Sequence, residues 1–178
     1  MAKKTWKIDS AHSGVHFTVR HMVFTKVRGS FTGFEGSIEF DPDQPSASRV
    51  TAKIDATTID TREPKRDEHL RSADFFDVGK FPAITFESAS VEKRGEDRYT
   101  LTGDLTIHGT TRRVELDTEY LGTGGDPWGG QRLAFQAETK ILRKDFGLSW
   151  NQVLETGGLL VGDQIEITLD VQAVLASA

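Results

Sequence analysis

Five histidines are the residues of this sequence with the most direct potential for chemistry, and three of them lie near the N-terminus. His12, His16 and His21 invite the hypothesis of a metal site, because imidazole is a common zinc ligand. However, the alternation of apolar and polar residues over 15–20 predicts a strand, in which His12 and His16 would lie about 13 Å apart. Parallel side chains at this separation would not converge on one ion, so the sequence predicts no metal site.

The remaining histidines raise the question of acid–base catalysis. His69 and His108 could act as general bases that are oriented by Asp67 and Asp104. No nucleophile accompanies them, and the sequence has no G-x-S-x-G elbow, no G-K-[ST] phosphate loop and no H-E-x-x-H motif. The sequence therefore favours a protein that is not an enzyme. An enzyme that acts on a small amphiphile through His21 or His69 is the alternative.

Composition narrows the class of protein further. The chain has 178 residues, no cysteine and a formal net charge of -5, which excludes thiolate chemistry and argues against nucleic-acid binding. No segment approaches 18 apolar residues, so stable membrane insertion is not expected. The N-terminal segment has no signal-peptide pattern, which predicts a cytoplasmic protein. No linker or repeat divides residues 1–178, and a single domain is expected.

Strict alternation of apolar and polar residues is the dominant pattern, and it predicts strands with one covered face. In SGVHFTVRH, for example, Val15, Phe17 and Val19 interleave with polar residues. Seven further segments behave alike: FEGSIEF, RVTAKIDA, AITFESAS, RYTLTGDLTIHG, RRVELDTEYL, RLAFQAETKI and QIEITLDVQAV. Turn residues between them, such as His108-Gly109, favour antiparallel pairing.

One short helix is expected at about 63–73, where Pro64 suits the first turn and Asp60 or Thr61 could cap it. A second short turn is expected at 22–26. Eight strands of this kind either stack as a β-sandwich with a filled core or close into a barrel. Small residues on the covered face leave room for a ligand in a barrel of this size, or else accommodate a crossing of two sheets; they are Gly36, Ala52, Ala56, Gly103 and Ala137.

Four blocks of the sequence carry a family resemblance. They are FTGFEGSIEFDPD, IDATTIDTREPKRDEHLRSADFFDVGKFPAITFES, LTGDLTIHGTTRRVEL and RKDFGLSWNQVLETGGLLVGDQIEI. In this order, and with little insertion, they resemble the YceI-like polyisoprenoid-binding proteins. The most specific element is the charged helix that runs into a double phenylalanine and then Phe-Pro before a strand.

The resemblance implies an all-β fold, an eight-stranded antiparallel extended β-barrel that is lipocalin-like. Its lumen would hold an amphiphile with an isoprenoid or alkyl tail, such as a polyprenyl phosphate or an isoprenoid quinone. The implied role is binding, sequestration or transport without catalysis and without a cofactor, and a homodimer is left open. A protein-interaction β-sandwich is the second alternative.

The expected ligand-binding residues share one property, because each is apolar and lies on the covered face of a strand or on the lid segment. His21 is added because its parity would direct it inward near a barrel mouth, where it could hydrogen-bond a head group. The strand residues are Phe17, Val19, Phe34, Ile38, Phe40, Ile54, Ile84, Phe86, Leu105, Ile107, Leu116, Phe135, Ile141 and Leu169, and the lid residues are Leu70, Phe75 and Phe76.

Overall fold

The computed structural model describes residues 3–22, 24–152, 154 and 160–177. Eleven strands form one antiparallel sheet, and a single α-helix lies among the described residues. The strands are β1 Lys4–Ile8, β2 Gly14–His21, β3 Thr25–Phe31, β4 Phe34–Phe40, β5 Arg49–Asp55, β6 Ile59–Asp60, β7 Ala83–Gly95, β8 Arg98–Ile107, β9 Thr110–Gly125, β10 Gln131–Leu142 and β11 Val161–Ser177, and helix α1 is Pro64–Arg71.

The eleven strands occupy only eight positions around a closed barrel. At three of these positions the strand is interrupted once, so that two shorter strands share the position. The pairs β1 and β2, β3 and β4, and β5 and β6 each continue one strand position across a short break. The N-terminal half of β11 pairs with β2 and its C-terminal half pairs with β1, so the last strand meets the first. The predicted eight-stranded antiparallel barrel is confirmed, and the β-sandwich alternative is wrong because the sheet closes on itself.

Two of the strand breaks are short 3-10 turns that are stabilised by aspartate caps. Asp9 accepts a hydrogen bond from the backbone N–H of Ala11 at 3.0 Å, and Asp55 accepts one from Thr57 at 3.0 Å. Carboxylates at these positions satisfy backbone donors that the broken ladder leaves free. The breaks let long strands bend around the barrel without losing their places in the sheet.

Each of the eight predicted segments falls within a different strand position, but the sequence pattern missed β1, β3 and β6. Strand β1 has only five residues, and β3 contains the polar run Thr25-Lys26 and Gly29, which conceal its alternation. The turn expected at 22–26 is shorter, because β3 already begins at Thr25. Long-range pairing, which no local pattern reports, stabilises these segments as strands.

The predicted helix is confirmed, although its cap differs from the expectation. Glu63 is the N-cap, and its carboxylate accepts a hydrogen bond from the backbone N–H of Arg66 at 2.7 Å. Thr61 instead donates to the buried carboxylate of Asp67, from its backbone N–H at 2.9 Å and from its hydroxyl at 2.5 Å. Asp67 thereby attaches α1 to the segment that follows β6.

Two hydrophobic clusters close the two ends of the barrel. The cluster at the end where β9 joins β10 includes Trp6, Ile38 and Leu133. The cluster at the opposite end, which α1 covers, includes Ile59 and Phe146. We call these the hairpin end and the lid end, respectively. The lumen between them contains space that the side chains leave unfilled.

Candidate functional site

A cavity of about 270 Å³ lies inside the barrel between the two clusters. Inward-facing residues from all eight strand positions line it, together with residues from the lid end, and its surface is almost entirely carbon. Alternation along each strand produces this result, because every second side chain points to the axis. A cavity with so little polar surface favours an apolar occupant over water.

The structure places all of the residues expected from the sequence at this cavity, with the exception of His21. Those on the strands are Phe17, Val19, Phe34, Ile38, Phe40, Ile54, Ile84, Phe86, Leu105, Ile107, Leu116, Phe135, Ile141 and Leu169, and those on the lid are Leu70, Phe75 and Phe76. The strand residues reach the cavity because every second side chain of a strand in a closed barrel points to the axis.

Glycines in the wall do not leave the empty space that the sequence suggested, because neighbouring side chains cover them. A Cβ atom on Gly103 would lie 2.4 Å from the ζ carbon of Phe86, so the tip of this ring occupies the space beside the glycine. A Cβ atom on Gly36 would likewise lie 2.6 Å from the δ carbon of Ile8. Large side chains are thus held against the wall, and this arrangement keeps the axis open.

Aromatic rings close the hairpin end of the lumen. The ring of Phe40 contacts Tyr99, Tyr120 and Phe135, with centroids 6.1, 5.3 and 5.2 Å away. Edge-to-face packing of this kind adds to the stabilisation from buried area. Burial also raises the pKa of the Tyr99 phenol.

The lid end is closed by residues of the double-phenylalanine segment and of the chain after β10. Phe76 packs edge to face on Phe31, with ring centroids 5.8 Å apart. Phe75 packs on Trp150 at 5.3 Å and on His69 at 5.1 Å, and His69 contacts Trp150 at 4.7 Å. This aromatic triad of Phe75, His69 and Trp150 joins the helix region to the segment after Phe146.

A buried arginine holds that segment in place. Arg143 is 2% exposed and lines the cavity, yet its guanidinium points at the backbone. It donates to the carbonyl oxygens of Leu148 at 2.5 Å, Trp150 at 2.9 Å and Gly162 at 2.8 Å. Burial lowers the pKa of Arg143, and Asp163 nearby opposes that shift. The sequence offered no signal for this role, because Arg143 becomes buried only when the following segment folds over it.

Almost no polar surface faces the lumen, although eight polar residues border it: Ser13, His16, Glu35, Ser48, Thr118, Thr139, Arg143 and Asp170. Thr139 lines it, but its hydroxyl donates to the carbonyl oxygen of Glu115 at 2.7 Å, and Thr118 likewise donates to Leu116 at 3.2 Å. Ser48 also lines the lumen, and its hydroxyl has no partner among the described residues. A ligand inside the barrel would therefore meet few polar groups.

The two histidines that are candidates for acid–base chemistry, His21 and His69, are absent from the cavity lining. His21 lies at the last position of β2, opposite Val161. His16 does border the cavity, but it is an exposed residue of β2. The partner of His69 is Asp74, 2.9 Å from its Nε2, and not Asp67. His108 approaches the carbonyl oxygen of Phe146 at 3.3 Å.

Asp104, the carboxylate expected to orient His108, instead pairs with Arg113, whose Nε donates at 3.0 Å. In the ranges that the structure describes, no three His, Asp or Glu side chains are grouped so that they could hold a metal ion. No helix among the same residues is long and apolar enough to span a bilayer.

Several lining residues were not selected from the sequence. Phe31 and Ile8 belong to strands that the alternation pattern missed, and Leu148 lies in an irregular segment. Others lie on the covered faces of recognised strands, so the parity rule would have found them; they are Val15, Val50, Ala52, Leu101, Val114, Ala137, Ile165, Ile167 and Val171.

A closed antiparallel barrel of eight strand positions with an apolar lumen defines the chain as a lipocalin-like β-barrel protein. A family model described as the YceI-like domain matches residues 6–173. Protein YceI of Escherichia coli O17:K52:H18 is 44% identical over 145 residues, which cover 80% of this chain and 75% of that protein. Protein YceI of Salmonella newport is 44% identical over 146 residues, covering 81% and 76%. The chain therefore belongs to the YceI-like family.

Solved structures share the fold. BcnA of Burkholderia cenocepacia superimposes with a TM-score of 0.82 at 24% identity, covering 93% of this chain and 98% of that one. The YCEI protein of Campylobacter jejuni has a TM-score of 0.73 at 29% identity, covering 87% and 88%. A polyisoprenoid binding domain from Saccharophagus degradans, implicated in plant cell wall breakdown, has a TM-score of 0.69 at 14% identity, covering 96% and 98%.

Proposed function

We propose that this protein binds the tail of an isoprenoid amphiphile in the barrel lumen, and that it sequesters or transports this lipid without catalysis. The observation that carries the proposal is the cavity of about 270 Å³ inside the barrel, whose lining is almost entirely carbon. Membership of the YceI-like family supports it, as does the likeness in fold to a domain described as polyisoprenoid binding. Polyprenyl phosphates and isoprenoid quinones are the two head-group classes that we propose.

The energetics of tail burial fit such a site. Transfer from water contributes about 0.8 kcal/mol per CH₂ group, so an isoprene unit contributes about 3–4 kcal/mol at most. A few buried units suffice for micromolar binding, even after the cost of ordering the ligand. The cavity lies near the lower end of the roughly 300–1,000 Å³ that small-molecule sites span, so a short stretch of tail fills it.

The polar head group is expected outside the lumen. A phosphate or a quinone ring that entered the lumen would lose water and gain almost no hydrogen bonds from this lining. At the hairpin end, the rings of Phe40, Tyr99, Tyr120 and Phe135 pack against one another, whereas the lid end is formed by a helix and an irregular segment outside the sheet. We therefore place the head group at the lid end, beside the aromatic triad.

The enzyme alternative loses support from the same geometry. A catalytic histidine must reach the reacting atoms of a bound substrate. Neither His21 nor His69 lines the lumen, and the ring of His69 is packed against Phe75 and Trp150. The cytoplasmic location and the homodimer that the sequence suggested stay predictions.

Organic extraction of freshly purified protein, followed by mass spectrometry, tests the proposal and identifies the lipid. Binding of a prenol to a lipid-free preparation then tests the lumen with a matched pair of variants on β10. Ala137 lines the cavity, whereas Ala134 has the opposite parity and faces outward. We expect Ala137→Leu to weaken prenol binding at least tenfold and Ala134→Leu to leave it unchanged. Equal binding by both variants would contradict a site in the lumen.

Two harsher variants extend this test. Phe86→Asp and Leu105→Arg each introduce a charge at a cavity lining whose surface is almost entirely apolar. Lipid retention should be abolished in any such variant that circular dichroism shows to be folded. Retention equal to wild type in a folded variant would count against the lumen as the binding site.

A further inference from the structure

The turn between β2 and β3 exposes two large apolar side chains at the lid end of the barrel. Phe24 is 88% exposed and Met22 is 46% exposed, whereas most large apolar side chains of the described residues are covered. Met22 has a φ of 53°, in the left-handed region, and its backbone N–H donates to the carbonyl oxygen of Leu160 at 2.8 Å. The backbone of Met22 is thus bonded to the segment before β11, while the side chains of Met22 and Phe24 face solvent.

Basic residues lie on the outer face of the same hairpin. Arg20 and Lys26 are direct cross-strand partners, and Arg28 follows on the same outer face of β3. All three are exposed, and none forms an ion pair with another residue of the described part of the chain. We name Met22, Phe24 and these three basic residues the docking hairpin.

Acidic groups near the docking hairpin do not cancel its charge. Asp163 shares a shallow groove with Arg20 and Lys26, but its carboxylate already lies 3.2 Å from Nζ of Lys144 and 3.7 Å from Arg143. Glu166 lies in the same groove as the one remaining acidic side chain, and its cross-strand neighbour is Lys140. The basic side chains therefore outnumber the uncompensated acidic ones at this surface.

We propose that the docking hairpin binds the surface of an anionic lipid bilayer. Exposed aromatic side chains insert among lipid head groups, and neighbouring Lys and Arg residues attract anionic lipids. The docking hairpin has this chemistry, because its turn is apolar and the outer face behind the turn is basic. A second protein would have to offer both a pocket for the apolar side chains and acidic groups for the basic ones. The inference rests on the proposed lipid-binding function only for its biological purpose, because bilayer binding is measurable without any cargo.

Contacts connect the docking hairpin to the lid of the lumen. Val161, which lines the cavity, pairs with His21 at the base of the hairpin, and its carbonyl oxygen accepts from Arg143 at 3.3 Å. Arg143 also holds Trp150, which belongs to the aromatic triad above Phe75. Docking would thus place the lid beside the bilayer surface, where a lipid tail can pass between the membrane and the lumen.

Vesicle co-sedimentation tests the proposal with the full chain. The vesicles contain phosphatidylcholine with one quarter phosphatidylglycerol, and pure phosphatidylcholine vesicles serve as the uncharged comparison. We expect Phe24→Ser to weaken partitioning about tenfold, and Phe24→Trp to retain it. Arg20→Gln and Lys26→Gln should each weaken it about fivefold at low salt.

Matched controls come from the opposite end of the barrel. Trp128 is 83% exposed in the turn before β10, and Lys93 is exposed on β7. Trp128→Ser and Lys93→Gln should leave partitioning unchanged. Equal losses in the control and hairpin variants, or wild-type protein that does not bind anionic vesicles, would overturn the proposal.

Two further measurements distinguish bilayer binding from self-association and from the proposed binding of a lipid in the lumen. Analytical ultracentrifugation without vesicles would reveal self-association; a dimer that Phe24→Ser dissolves, with no vesicle binding, would overturn bilayer docking in favour of a contact between copies. Prenol binding in solution should be unchanged in Phe24→Ser. A protein that binds vesicles but no prenol would leave the docking hairpin intact and contradict the proposed function instead.

Discussion

The ring of Phe17 lies directly against Gly29, its cross-strand partner, and a Cβ atom on Gly29 would fall 2.4 Å from the ζ carbon of that ring. Such a distance is too short for any real contact, so the ring can occupy this place only because position 29 has no side chain. Phe17 lines the cavity, and the position of its ring therefore limits the width of the lumen.

Gly29→Ala should displace the ring of Phe17 toward the barrel axis and weaken prenol binding about tenfold. All three close neighbours of the new methyl group belong to the movable Phe17 ring, so the fold should survive. Phe17→Leu combined with Gly29→Ala should restore binding, and Gly124→Ala, at a position with open space, serves as the control. Titration with a fluorescent prenol analogue provides the measurement. Unchanged binding in Gly29→Ala would show that this ring does not limit the lumen.

Trp150→Ala should accelerate release of a bound lipid more than it weakens equilibrium binding. The substitution removes two ring contacts, with His69 and Phe75, and each such contact stabilises by about 0.5–1.5 kcal/mol. We expect the dissociation rate to rise about tenfold in stopped-flow displacement. Trp128→Ala, at the hairpin end, is the control and should release lipid at the wild-type rate. An unaffected rate in Trp150→Ala would mean that the lipid leaves by another route.

Arg143→Met should destabilise the fold by about 3 kcal/mol or more. The loss leaves buried carbonyl groups of Leu148, Trp150 and Gly162 without their donor. Lys144→Met is the matched control, because Lys144 is exposed and also contacts Asp163, and it should change the free energy of unfolding by less than about 1 kcal/mol. Urea unfolding measures both variants. Similar values for the two would argue against Arg143 as the clamp of the lid end.

Acid stability should depend on Asp9. Hydrogen bonds from Arg132, and secondly from His12, lower the pKa of Asp9 from 3.8 to about 2. Because the folded-state pKa is lowered, this carboxylate stabilises the fold above about pH 4, and the contribution is lost as the pH falls toward 2.

Carboxyl titration by NMR and thermal unfolding between pH 5 and 2 test this dependence. Asp9→Asn should lower the unfolding temperature at neutral pH and flatten its fall in acid. Arg132→Gln should move the titration midpoint of Asp9 up toward 3.8, since Arg132 Nη1 lies 2.7 Å from the carboxylate. A midpoint that stays near 2 in that variant would exclude Arg132 as the main cause.

The sequence predicts the barrel and most of its lining because period-two alternation reports directly which side chains face the axis. Phe86 and Leu105, for example, were assigned from parity alone, and they are cross-strand partners at the cavity. Parity failed for His21, which has the inward register but lies at the rim opposite Val161. Alternation indicates a face of the sheet and not a distance from the barrel mouth.

Other features depend on contacts between distant segments and have no local pattern. The sequence pattern predicts an exposed side chain at Arg143, because its burial depends on the chain after Phe146 folding back over it. The sequence predicts a gap in the covered face at Gly103, but the ring of Phe86 fills it, as the ring of Phe17 fills the space beside Gly29 on the unpredicted strand β3. The lumen is thus open because large side chains are packed against the wall of the barrel, and not only because small residues line it.

A crystal structure of the protein with a prenol that carries bromine at the end of its tail shows directly whether the lumen binds the tail. We expect an anomalous bromine peak inside the lumen, between Phe86, Leu105 and Phe135, with the oxygen of the ligand toward the lid end. Bromine found only on the outer surface of the barrel, or a lumen that stays empty at saturating ligand, would contradict it.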